Sequence, residues 1–134
     1  MAEQFQFELV SPERLLLSAE VEQAVVPGSE GYFTVLKGHA PFMSTLRPGV
    51  VEVVNGNLTE RIFVRGGFAD VSLAGLTILA ELAIPLAEVD EAMLAQEVKN
   101  AEEDVADAKD GATRDAAELR LHQLKEVQTA LGRG

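Results

Sequence analysis

The pattern of apolar and polar positions changes near Pro85. Phe5-Gln6-Phe7-Glu8-Leu9 alternates, with the two-residue period of a half-buried strand. Val50-Val51-Glu52-Val53-Val54 and Arg61-Ile62-Phe63-Val64 are short β-branched runs, and Asn55-Gly56-Asn57 between them is a hairpin signal. Gly66-Gly67 and Ala74-Gly75 punctuate two further expected strands, residues 68–72 and 76–82. No long helical pattern precedes Pro85. Many short strands at close spacing, with Gly and Pro at the turns, predict an antiparallel sandwich or barrel over residues 1–85.

Residues 86–134 read differently. No proline occurs in 86–131, and few residues there are β-branched. Leu94, Val98, Ala101, Val105 and Ala108 recur at spacings of 4, 3, 4 and 3, one stripe of an amphipathic helix. Ala117, Leu121, Leu124 and Leu131 form a second stripe, and Asp110-Gly111 interrupts the pattern between them. Two helices with a short link predict an αα-hairpin. Its stripes are narrow and rich in alanine, which predicts a marginally stable hairpin able to leave its resting place.

Composition narrows the chemistry. The chain of 134 residues carries 22 acids and 11 cations, a net charge of −11. Binding a phosphate backbone or an anionic lipid surface requires clustered Lys and Arg, so nucleic acid and direct membrane docking are disfavoured and proteins are the expected partners. Residues 1–85 hold five cations (Arg14, Lys37, Arg47, Arg61, Arg65) against ten acids, a net of −5, and residues 86–134 hold the remaining −6. The acidic run within 102–110 reads as a solvated helix face, with a partner contact as its sharper alternative. Absence of cysteine removes disulfides and thiolate chemistry. Met1-Ala2-Glu3-Gln4 lacks the basic and apolar segments of a signal peptide. The most apolar stretch, 71–87, is broken by Glu81 and Pro85 and is too short to span a bilayer.

Catalytic patterns are thin. No Gly-Lys pair exists for a phosphate loop, so Gly28-Ser29-Glu30-Gly31 reads as a turn. One histidine, His39, lies in the first part, too few for a zinc site there. Val71-Ser72-Leu73 lacks the glycines of a nucleophile elbow. His39 reads as a loop residue, or as a contact at a protein interface. His122 reads as surface on the second helix. Phe42, Met43 and Leu46 are expected to point into the sandwich core. These residues leave open an adaptor of unknown partner and, less favoured, an enzyme on a small β-barrel.

Two longer motifs carry a resemblance. Pro27-Gly28-Ser29-Glu30-Gly31, then Val35-Leu36-Lys37-Gly38-His39-Ala40-Pro41 and Arg47-Pro48-Gly49, are similar to the signature of the epsilon subunits of rotary F-type ATP synthases, whose mitochondrial counterpart is called delta. Gly66-Gly67-Phe68-Ala69-Asp70-Val71 with Thr77-Ile78-Leu79-Ala80-Glu81 resembles that family's second block. The resemblance covers essentially the whole chain. It implies a ten-stranded β-sandwich over 1–85 followed by a two-helix antiparallel hairpin over 86–134. It implies a non-catalytic rotor subunit of the central stalk, coupling proton flow to ATP synthesis. The expected place is the cytoplasmic face of the bacterial inner membrane, peripheral and without insertion. The implied partners are the gamma subunit, the ring of c subunits and, weakly through the hairpin, the catalytic alpha and beta subunits. The implied contact residues for the ring and gamma are Ser29, Glu30, Gly31, Tyr32 and His39. Glycine and proline would fix these loops in advance and reduce the entropy lost on docking, and Tyr32 would serve as a rigid amphipathic anchor.

The sequence departs from the family in the hairpin. Some bacterial members bind ATP through Ile/Leu-Asp-x-x-Arg-Ala, where this chain has Val89-Asp90-Glu91-Ala92-Met93-Leu94. Asp90 remains, but Met93 replaces the arginine, and two arginines of the second helix fall on Gln123 and Val127. Without a guanidinium fork for the phosphates, no cofactor is expected. Residues 113–134 carry four cations (Arg114, Arg120, Lys125, Arg133) and three acids (Asp115, Glu118, Glu126), so the hairpin is expected to inhibit ATP hydrolysis weakly or not at all.

Overall fold

The computed structural model describes residues 3–132. The chain divides between Ala87 and Glu88 into two compact units.

The first unit is built from eight strands: β1 (Phe5–Ser11), β2 (Arg14–Val21), β3 (Gln23–Gly28), β4 (Gly31–Val35), β5 (Phe42–Thr45), β6 (Gly49–Asn55), β7 (Leu58–Ser72) and β8 (Gly75–Pro85). A 3₁₀ turn at Leu86–Glu88 follows. The strands hydrogen-bond in the order β2-β1-β8-β7-β6-β3-β4, with β5 also on β7. Neighbours are antiparallel except β1 and β8, which run parallel from Gln6↔Gly75 to Val10↔Leu79. The alternation of β1 places Phe5, Phe7 and Leu9 inside. They meet Val26, Val51, Val64, Val71, Leu76 and Ile78 in one core. Each buried Val, Leu, Ile or Phe there contributes about 1.5–3 kcal/mol over its exposed state.

Ten strands were expected and eight form among the described residues: β7 runs through the Gly66-Gly67 signal instead of stopping at it, and β8 runs on beside it. β5 and β6 lie along β7 in one register: Phe42↔Val71 to Thr45↔Phe68, then Gly49↔Val64 to Asn55↔Leu58. Between them the Leu46 N–H still reaches Gly67 O at 2.9 Å, while the ladder lapses at Arg47-Pro48, where proline has no N–H to give. Opposite this gap, Gly66 and Gly67 take φ of 75° and 110°. A Cβ on Gly67 would run into the carbonyl oxygen of Leu79, and one on Gly66 into the Glu81 carboxylate. Glycine therefore bends the long strand where a side chain would end it. The Asn55-Gly56-Asn57 signal behaves as expected: Asn55 pairs with Leu58 around a two-residue loop, with Gly56 at φ 64°.

The second unit is the helical pair α1 (Glu91–Asp107) and α2 (Gly111–Gly132). Asp90 caps α1, its side chain accepting the Met93 N–H at 2.7 Å. The helix ends where Ala108 turns to extended backbone, φ −64° and ψ 132°. Asp110 then caps α2, accepting the Thr113 N–H at 2.8 Å and the Thr113 hydroxyl at 3.0 Å. Leu94, Val98 and Ala101 are buried on α1, with Ala117, Gln123, Leu124 and Val127 on α2. Val105, Ala108, Leu121 and Leu131 are only partly covered, so the buried stripe of α2 runs through Gln123 and Val127 instead of Leu121. Arg120 and Asp104 meet across the pair at 3.7 Å.

Candidate functional site

The motif residues converge at one end of the sandwich. Pro27↔Tyr32 and Gly28↔Gly31 close the β3–β4 hairpin around the two-residue turn Ser29-Glu30. The link between β5 and β6 packs beside that turn through backbone bonds. Ser29 N–H donates to Thr45 O at 2.9 Å, and Arg47 N–H donates to Pro27 O at 3.0 Å. A bridge joins Gly28 to Leu46. The Thr45 hydroxyl donates to the Ser29 hydroxyl oxygen at 2.8 Å. Val50 N–H donates to the Tyr32 hydroxyl oxygen at 3.1 Å. Segments 27–32 and 45–50, separate in sequence, thus form one preformed surface. Glu30 stands exposed at its tip, and the Tyr32 side chain is half exposed at 53%.

His39 belongs to the neighbouring loop. Its N–H donates to Leu36 O at 3.1 Å, closing a turn. Its Nδ1 lies 2.7 Å from Ala40 O. A carbonyl oxygen only accepts, so Nδ1 is the donor in this contact. The imidazole sits 6.4 Å from the ring of Phe42, which stands edge-on to Phe33 at 5.3 Å. Ser29, Glu30, Gly31 and Tyr32 therefore come together on one turn, and His39 is tied to the next residue of β4 through an aromatic chain, without a hydrogen bond to the turn.

One expectation needs correction. Leu46 is buried in the core, but Phe42 is 45% exposed and Met43 63% exposed. β5 is a four-residue strand whose ladder is with β7, so Phe42 is partly covered by Phe33 and His39 at the sandwich margin and Met43 faces outward opposite Asp70. In the hairpin, Asp90 serves as a helix cap, and Gln123 and Val127 are inward-facing.

The sequence reading missed a second feature. Register partners share a face, so Thr45, Phe68, Leu79, Val10 and Leu15 form one row across β5, β7, β8, β1 and β2. Phe68, Leu79 and Leu15 in this row are exposed, although their strand neighbours Ala69, Ile78 and Ala80 are buried. The consecutive apolar residues Ile78-Leu79-Ala80 were the available signal, since a strand with one wet face should alternate. Aligned in one row, these exposed apolar side chains are a candidate contact surface. Among the described residues no group of three or more His, Asp or Glu is placed to hold a metal ion, and no helix is long and apolar enough to cross a membrane.

Fold and site together define a β-sandwich with a preformed polar end and an apolar outer row, followed by a helical hairpin. Comparison with known proteins agrees with that class. Residues 4–86 match the family described as ATP synthase, Delta/Epsilon chain, beta-sandwich domain. The ATP synthase epsilon chain of Parvibaculum lavamentivorans is 55% identical over 129 residues, 96% of this chain and 98% of that one. The epsilon chain of Mesorhizobium japonicum is 52% identical, over 98% of each chain. Among solved structures, a chain in the Euglena gracilis mitochondrial ATP synthase (OSCP/F1/c-ring) superposes with a TM-score of 0.74 at 29% identity, covering 96% of this chain and 81% of that one. A chain from the central stalk and c-ring of the Tetrahymena thermophila enzyme shares the fold, with a TM-score of 0.64 at 14% identity over 95% of this chain and 98% of that one. The chain belongs to the delta/epsilon family of ATP synthase subunits. Its relatives are accessory chains of that complex, not the chains that carry catalysis.

Proposed function

We propose that this chain is a central-stalk rotor subunit that joins the gamma subunit to the ring of c subunits and helps couple proton flow to ATP synthesis. The observation that carries this reading is the end of the sandwich where the two Gly/Pro motifs are hydrogen-bonded into one preformed surface. On this reading Ser29, Glu30, Gly31, Tyr32 and His39 face the ring and the foot of gamma, and the apolar row Phe68-Leu79-Val10-Leu15 packs along gamma. A surface already fixed by backbone bonds loses little entropy on docking, and a row of exposed apolar side chains supplies the desolvated centre that a stable contact needs. The assembled Euglena relative, which contains a c-ring, supports the ring as a partner. The protein would lie peripherally on the cytoplasmic face of the bacterial inner membrane, held there by its partners. The sandwich, residues 1–85, does the docking. The hairpin, 86–134, is the mobile part and meets the catalytic alpha and beta subunits weakly if at all. ATP is not among its ligands, because the positions that would meet phosphates hold Met93 and the buried Gln123 and Val127.

Co-expression with gamma and the catalytic subunits tests the reading. Stoichiometric incorporation is expected. Phe68→Glu with Leu79→Glu should abolish capture by gamma, and Glu30→Lys with His39→Ala should weaken retention on the ring while leaving gamma binding intact. Recovery of the chain with other proteins, or with none of these, would return it to an adaptor of unknown partner.

A further inference from the structure

We infer that the hydroxyl of Tyr32 acts on docking through the Ser29-Glu30 turn, as a positioning group, and not by touching the partner. The inference rests on the proposed docking role of that turn and assigns a mechanism to one of its residues. It starts from a gap in the sheet. β3 pairs with β6 at Gln23↔Val54, Ala24↔Val53 and Val25↔Glu52, and the ladder then stops. The same register would bring Pro27 opposite Val50. The acceptor that β3 would offer the Val50 N–H there, the Pro27 carbonyl, is turned instead to Arg47 N–H at 3.0 Å. The N–H of Val50 would be left without a β3 partner. The Tyr32 hydroxyl oxygen takes it at 3.1 Å, reaching from β4 across Pro27 to the start of β6.

The path of the side chain is kept clear by Gly49. A Cβ at that position would lie 2.5 Å from the Tyr32 hydroxyl oxygen and 2.7 Å from Pro27 Cβ, closer than real Cβ atoms approach. The hydroxyl of Tyr32, the diverted carbonyl of Pro27 and the missing side chain of Gly49 thus form one device. It ties β4, which the sheet holds on one side only, to β6. The turn between β3 and β4 carries Ser29 and the exposed Glu30, so fixing β4 fixes the turn against the β5–β6 link.

Tyr32→Phe tests this, because phenylalanine keeps the ring beside Gly49 and removes only the acceptor. Amide hydrogen exchange on the full-length chain should show Val50 and Ser29 exchanging at least tenfold faster, with the remaining strands unchanged. Rebinding to an ATP synthase stripped of this chain should weaken by roughly two- to twelvefold, the range that one net hydrogen bond sets. In a double-mutant cycle with Glu30→Ala, the Tyr32→Phe effect on rebinding should largely vanish, since a positioning residue has nothing left to position. Additive effects would overturn the inference and make Tyr32 a direct contact. So would weaker rebinding with Val50 and Ser29 still protected, or loss of protection with rebinding unchanged while Glu30→Ala weakens it. If Glu30→Ala, His39→Ala and Tyr32→Phe all rebind like the wild type, the docking reading of this end falls, and the inference with it.

Discussion

A methyl group added at Gly67 would meet two obstacles at once. The backbone stands at φ 110°, and the space is filled by the carbonyl oxygen of Leu79, which cannot move without breaking the β7–β8 ladder. At Gly56, φ is 64° and nothing lies within 4 Å of an added Cβ. Gly56→Ala should therefore cost about 1 kcal/mol, the strain of a left-handed residue alone. Gly67→Ala should cost about 3 kcal/mol or more, because clash is added to strain. Urea unfolding of the two variants, followed through the β signal, separates the cases, and equal costs would refute this account of the bend. Asp110 gives a residue-level prediction in pH. The Thr113 backbone N–H, then the Thr113 hydroxyl, hold its carboxyl below the ordinary value of 3.8, with a smaller contribution from the Ala112 N–H. A depressed carboxylate stabilises the fold above its unfolded pKa, and that stabilisation is lost as pH falls through the lower folded value. Helix content should thus hold from pH 7 down to the ordinary carboxylate range and fall below it. In Asp110→Asn, which keeps an oxygen acceptor but cannot titrate, that part of the acid response should disappear from circular dichroism. Residue-level packing was the least legible layer of the sequence. Phe42 and Met43 look like core by composition, and only the discovery that β5 is a four-residue strand held by β7 explains why they are exposed.

Elements were more legible, and their failures have physical causes. The alternation of 5–9, the β-branched runs around Gly56 and the helical stripes all became the expected kind of element, because each pattern is local. The Gly66-Gly67 pair misled, since glycine signals both the end of a strand and a bend within one, and the choice depends on whether neighbouring strands continue in register on both sides. Here they do, along β8 from Ser72↔Gly75 to Ile62↔Pro85. The motif Arg47-Pro48-Gly49 was visible, but its bonds to the turn at 27–32 are long-range and leave no periodic trace. At this scale the cap of α1 carries a prediction. Asp90 accepts the Met93 N–H at 2.7 Å, and Asp90→Ala should destabilise the hairpin by about 0.5–2 kcal/mol. Melting of the hairpin should shift while the sandwich transition stays in place. Titration calorimetry should find no micromolar binding of ATP. Met93→Arg alone should not create it, because Gln123 and Val127, where the remaining arginines would stand, are each only 8% exposed. Micromolar binding by the unaltered chain would show that other groups hold the phosphates.

At the scale of the whole molecule, the distribution of charge decides what the second unit can do. The hairpin region has a net charge of −6, yet residues 113–134 carry four cations against three acids, so nearly all of the negative charge lies on α1 and the links around it. The cations of α2 are also partly engaged at home. Arg114 pairs with Glu118 at 3.1 Å, and Arg120 lies 3.7 Å from Asp104. Exposed pairs of this kind contribute at most about 1 kcal/mol, but they mute the field that α2 would offer a partner. A helix that arrests a rotary complex by gripping an acidic segment of a catalytic subunit needs a strong positive face to be drawn there and held. The net charge of +1 over residues 113–134 supplies little of that pull, and the acidic α1 would be repelled. The sandwich, in turn, draws its core from within residues 5–80 and keeps both the preformed end and the apolar row without any hairpin residue. Ending the chain after Ala87 should therefore leave the sandwich folded and still incorporated, and ATP hydrolysis by the assembled complex should stay within about twofold of the full-length value. Charge reversal gives the complementary arm. Converting Asp115, Glu118 and Glu126 to lysine raises residues 113–134 from +1 to +7, and if electrostatic pull is what the hairpin lacks, hydrolysis should fall in this variant and recover at high salt. A several-fold rise in hydrolysis on truncation of the unaltered chain would mean that the hairpin brakes the motor by packing and not by charge.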